Sequence, residues 1–104
     1  MAIDETKLEE LRAKHGEIWT LTIEGQDFAL RCPSMAEYER YTDKMAGDRK
    51  GFTAASRAFA AHAVVHPDAG TFAAMVERRP GYAVRVAGEA MAIASGEAAE
   101  AAKK

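Results

Sequence analysis

The chain is short of the residues on which most chemistry depends. It has one cysteine in 104 residues, so no internal disulfide forms and an oxidising compartment is not required. No uninterrupted apolar run approaches the roughly 20 residues of a membrane-spanning helix. The N-terminal "MAIDETKLEELRAKHGE" carries acids throughout and lacks the apolar core of a secretory signal. A soluble, cytoplasmic protein is the expectation. Basic stripes are absent too: the formal charge is −2, and the basic pairs Arg49–Lys50 and Arg78–Arg79 are small and isolated. No phosphate-backbone binding is expected from such a surface. "GDRKG" lacks the buried strand and the Gly-Lys-Ser/Thr ending of a phosphate-binding loop.

What is present is alanine, densest in "FTAASRAFAAHAVV" and "GYAVRVAGEAMAIASG". Alanine is the best helix former, which tilts the fold towards helix. Hydrophobic residues make up 48% and charged residues 29%, the balance of a soluble globular domain. A chain of this length holds a single core.

Periodicity divides it further. Asp4 to His15 reads as a surface helix, capped by Asp4 or by a Thr6–Glu9 capping box, with Leu8 and Leu11 as a thin apolar stripe and Gly16 as its stop. The period then changes to two. "EIWTLTI" sets Trp19, Leu21 and Ile23 on one face, and "FALRC" aligns Phe28, Leu30 and Cys32. Joined by "EGQD", these runs predict a β-hairpin, and its apolar face requires helical cover.

Pro33 ends the second strand because it has no N–H to donate. Ser34 and Glu37 form the next capping box, and Tyr38 is placed to fold back on Pro33 as a hydrophobic staple. Helices follow over "SMAEYERYTDKMAG" and "FTAASRAFAAHAVV", the latter broken at "HPD". A short helix bears Phe72, Met75 and Val76, and a last one opens at Pro80 and stops at Gly96. The predicted class is α+β and mostly helical: one N-terminal β-hairpin packed on a bundle of four to five short helices, in the order α-β-β-α-α-α-α. Residues 1–96 form the domain, and 97–104 are expected to be a frayed or disordered tail.

Catalytic and metal-binding candidates are few. His62 and His66 are four apart, and on one helix they would share a face. His66 precedes Pro67, no HExxH motif is present, and no third ligand is evident, so the expectation is no metal. A half-buried His62 and a His66 at the helix C-terminus account for both. Cys32, on the strand face of Phe28 and Leu30, reads as a small buried hydrophobe and not as a nucleophile. No catalytic residue and no cofactor is expected, and the chain is read as a non-enzyme.

Large apolar residues recur at core-like spacing, among them Trp19, Tyr41, Phe59, Phe72 and Met91. A domain of this size is not expected to bury them all. The last helix pair, with Phe72, Met75, Val76, Tyr82 and Val86, is the expected partner-binding surface.

Two stretches carry a family resemblance. "KHGEIWTLTIEGQDFALRCPSMAEYERY" resembles the opening of the small tail assembly chaperones of long-tailed bacteriophages, with Arg31, Pro33, Ser34, Glu37 and Tyr38 matching their Arg-x-Pro-[Ser/Thr]-x-x-Glu-Tyr element. "VVHPDAGTFAAMVERRPGYAVRVAGEAMAIASG" is similar to their C-terminal half at Val65, Pro67, Asp68, Phe72, Pro80, Gly81, Ser95 and Gly96. The resemblance covers residues 14–96. It implies a non-enzymatic morphogenesis factor of a phage or prophage, working in the host cell cytoplasm. Such a factor binds the tape measure protein, recruits tail tube subunits and leaves before the virion is complete. Neither nucleic acid nor membrane is an implied partner, and self-association is left open. The alternative is a structural virion protein, either a head–tail connector or a minor tail component.

Overall fold

The computed structural model describes residues 3–47, 49–97 and 101–103. The first helix, α1 (Glu5–His15), is capped by Asp4, whose carboxylate accepts the Lys7 backbone N–H at 2.8 Å. Thr6 lies inside the helix, so the cap is Asp4 and not a Thr6–Glu9 box. Gly16 stops the helix at φ 85°, a conformation costly for any residue with a Cβ.

The hairpin follows as β1 (Ile18–Ile23) and β2 (Gln26–Arg31), antiparallel, with Leu21 opposite Phe28 and Trp19 opposite Leu30. Its loop is the pair Glu24–Gly25, with φ values of 51° and 77°. Two positive φ values make the primed turn whose twist matches that of the strands. Then come α2 (Met35–Gly47), a 3₁₀ turn (Arg49–Gly51) and α3 (Phe52–Ala63).

Two short strands were not legible in the sequence. β3 (Val64–His66) follows α3 directly and pairs with β2, and the His66–Pro67 peptide bond after it is cis. After α4 (Ala69–Arg78) and α5 (Gly81–Ser95), β4 (Ala102–Lys103) pairs with β1. The sheet therefore has four antiparallel strands in the order β3-β2-β1-β4.

Part of the expected frayed tail is thus structured. Ala101 is buried, its N–H donates to Glu89 Oε1 at 2.8 Å, and Lys103 pairs with Glu17. Residues 98–100 and 104 of that tail lie outside the described residues.

Both faces of the hairpin are covered. Leu21, Ile23, Phe28 and Leu30 face the helical side and join the main core with residues of α2 to α5. Ile18 and Ala29 face the opposite way and are sealed by Leu8 and Leu11 of α1, flanked by Ile3 and Val65. The narrow stripe of α1 therefore has a defined task, which is to close the second face of the sheet.

Small residues set the spacing of the helical layer. Helices α3 and α5 pack against each other, and both bury small residues: Ala55, Ser56, Ala60 and Ala63 on α3, and Ala83, Ala87 and Ala90 on α5. Helices lined with such residues approach closely. Phe28 is boxed by Phe72 of α4 and Tyr82 of α5, edge to face at 5.9 and 6.1 Å between ring centres. On the far side Tyr41 of α2 stacks on Phe59 at 4.3 Å. Its hydroxyl shares a buried hydrogen bond of 3.0 Å with Ser56 Oγ.

Candidate functional site

The junction from β2 into α2 is the most organised polar feature. Ser34 donates its backbone N–H to Glu37 Oε1 at 2.8 Å, and Ser34 Oγ accepts the Glu37 N–H at 3.2 Å. This is the predicted capping box. To it the structure adds Arg31, whose guanidinium grips Glu37 through two hydrogen bonds of 3.0 and 2.8 Å. Such a two-pronged charged pair is strong for its size.

The hydrogen bond from Arg31, reinforced by the Ser34 N–H, pushes the Glu37 carboxyl down to about 2 despite its partial burial. The same pairing raises Arg31 above its ordinary value. His62 Nδ1 comes within 3.5 Å of Glu37 Oε2 from α3. A carboxylate so fully engaged is a poor proton acceptor, so the group works as a latch between β2 and α2.

Cys32 departs from expectation. It lies one residue beyond the ladder and is exposed, with Sγ donating to the Pro33 carbonyl at 3.5 Å. The alternation of β2 stops with the strand, so Cys32 does not extend the Phe28–Leu30 face. Beside it Cys32, Pro33, Met35, Tyr38 and Ala94 border a hollow of about 310 Å³, with Met35 largely exposed.

The two histidines separate as well. His62 is exposed on α3, whereas His66 sits half-buried on β3 opposite Ala29. Val64 ends the helix first, so the pair never shares a helical face and His66 is not at a helix C-terminus. Burial, with Lys7 nearby, holds the His66 imidazole below its ordinary value. Among the described residues no three His, Cys, Asp or Glu side chains gather in a way that could hold a metal ion. No helix among them is long and apolar enough to cross a membrane.

The expected partner surface needs correction. Phe72, Met75, Val76 and Val86 are buried in the main core, and only Tyr82 stays half-exposed, its hydroxyl donating to Glu24 Oε2 at 2.9 Å. That bond raises the Tyr82 phenol above its ordinary value. The close α3–α5 packing lets α4 press its aromatic onto the sheet, so these side chains are not surplus.

What the region does offer is a groove of about 430 Å³ above them, between α3, α4 and α5. Phe72, Val76 and Ala83 form its floor, and the exposed alanines Ala61, Ala69 and Ala73 line its sides. The sequence gives little sign of these alanines, because alanine spaced by four reads equally as helix filler.

The fold and its surface define a small α+β module that presents an apolar groove and a charged latch. By comparison with protein families, the chain belongs to the family described as a domain of unknown function (DUF6848), whose model matches residues 11–103. Neither the curated proteins nor the solved structures yield a match.

Proposed function

We propose that the protein is a tail assembly chaperone of a long-tailed bacteriophage or prophage. In this reading it binds the tape measure protein in the host cell cytoplasm, recruits tail tube subunits, and is absent from the finished particle. It acts by binding and catalyses no reaction.

One observation carries the reading: the residues of the family resemblance are the joints of this fold. Arg31, Ser34 and Glu37 make the latch into α2. Asp68 caps α4 by accepting the Thr71 N–H at 2.8 Å, and Phe72 meets Phe28. Gly96 closes α5 in the left-handed conformation at φ 70°. Phe72 and Pro80 of the resemblance also line the apolar groove between α3, α4 and α5, a surface suited to a helical partner.

Co-expression with the tape measure protein tests the proposal. The expected result is that the long apolar protein becomes soluble and co-purifies with this chain. A tape measure protein that stays insoluble and unbound in the presence of this chain would overturn it.

A further inference from the structure

The groove between α3, α4 and α5 has two built walls. Thr53, Arg57 and Ala61 recur every four residues along α3, and Ala69, Ala73 and Glu77 do the same along α4. Residues spaced by four share one face of a helix, so each wall is a single ridge. One ridge carries a cation, the other an anion, and apolar residues lie between them. Both charged side chains are exposed, and neither has an ion-pair partner among the described residues.

We infer that this groove seats one amphipathic helix of a protein partner. The helix has small or medium apolar residues along one stripe, an acidic side chain on the flank facing Arg57 and a basic one on the flank facing Glu77. The inference rests on the chaperone reading for the occupant being a protein, and adds where it docks and what it must carry. The alanine sides let a helix backbone come close, and opposite charges on the walls favour opposite charges on its flanks. From Ala69 to Glu77 the α4 wall advances eight residues, about 12 Å, so roughly two turns of a helix fill it. A small-molecule site would instead converge its polar groups on the floor, and here they stand on the rims.

The test uses synthetic helical peptides of about 18 residues, long enough to hold helix in water, with an Ala/Leu stripe. One carries Glu on one flank and Lys on the other, a second Lys on both flanks, and a third Glu on both. Calorimetric titration of the intact chain should rank the mixed peptide first, by about threefold, the scale of exposed ion pairs. Arg57→Glu makes both walls acidic and should move the preference to the all-Lys peptide. Ala73→Trp, at an exposed position, should weaken all three at least about tenfold, with melting and far-ultraviolet dichroism unchanged.

Equal binding by Ala73→Trp, or a preference indifferent to Arg57→Glu, would overturn the inference. So would a wild-type dimer in light scattering that Ala73→Trp dissociates, since the occupant would then be a second copy. These readouts need no tape measure protein. Peptide binding without tape measure solubilisation leaves the groove standing and removes the chaperone reading. Solubilisation that survives Ala73→Trp does the reverse.

Discussion

Arg31 and Glu37 lie six residues apart and on different elements, yet they meet through two hydrogen bonds of 3.0 and 2.8 Å. The pair ties the end of β2 to the first turn of α2, and Ser34 between them donates to the same carboxylate. Glu37→Gln keeps the shape and removes the charge. It should lower stability by about 2 kcal/mol at neutral pH, read as a shift in urea midpoint.

The same carboxyl gives a pH signature. Its native value of about 2 lies below the ordinary 4.5, so the folded state binds the proton less readily than the unfolded state. The contribution is complete above pH 4.5 and is lost as the pH falls towards 2. Urea midpoints of wild type and Glu37→Gln should therefore differ at pH 7 and converge by about pH 2. A constant difference across that window would show that the ion pair contributes nothing.

Tyr41 and Ser56 test the buried side of α2. Their hydroxyls share a hydrogen bond in a site closed to solvent, so removing one partner strands the other. Tyr41→Phe and Ser56→Ala should each cost about 1–2 kcal/mol, while the double variant costs less than their sum. Additive losses in a denaturant cycle would contradict the coupling.

Two glycines should respond in opposite directions to alanine. Gly25 holds φ 77° in the hairpin turn, and Gly88 lies on the exposed side of α5; an added Cβ meets nothing at either. Gly25→Ala should therefore destabilise by about 1 kcal/mol through backbone strain alone. Gly88→Ala should stabilise by about 0.5–1 kcal/mol through helix propensity. Thermal melts of the two variants decide both.

The C-terminal strand gives a further check. Removing residues 98–104 takes Ala101 from the core and β4 from β1, where Lys103 sits opposite Trp19. The truncated chain should lose about 1–2 kcal/mol, and its tryptophan emission should shift to the red. An unchanged spectrum and midpoint would mean that the tail is dispensable.

The legible parts of this fold were the local ones. Asp4, Ser34, Pro80 and Gly96 mark element ends through their own backbone and side-chain chemistry, so sequence placed α1, α2 and α5 well. β3 and β4 have three and two residues, too short for a period, and they exist because the edges of the hairpin accept them. Alternation carried one residue past the ladder puts Cys32 on the buried face, whereas β2 ends at Arg31 and Cys32 is exposed. A fixed core capacity leaves Phe72, Met75, Val76 and Val86 on the surface, whereas the fold buries all four. α1 seals a second sheet face, and the alanines of α3 and α5 let the large side chains inward. The groove above them depends on how far α3 and α4 diverge, a tertiary quantity with no local signal.

The measurement that bears most directly on the account is the protein content of purified particles of the phage or prophage that the chaperone reading proposes as the source of the chain, set beside that of infected or induced lysate. Quantitative mass spectrometry should find the chain abundant in the lysate, associated with the tape measure protein, and absent from finished virions. A fixed, stoichiometric number of copies in every particle would contradict the chaperone reading and make the protein a structural component of the virion.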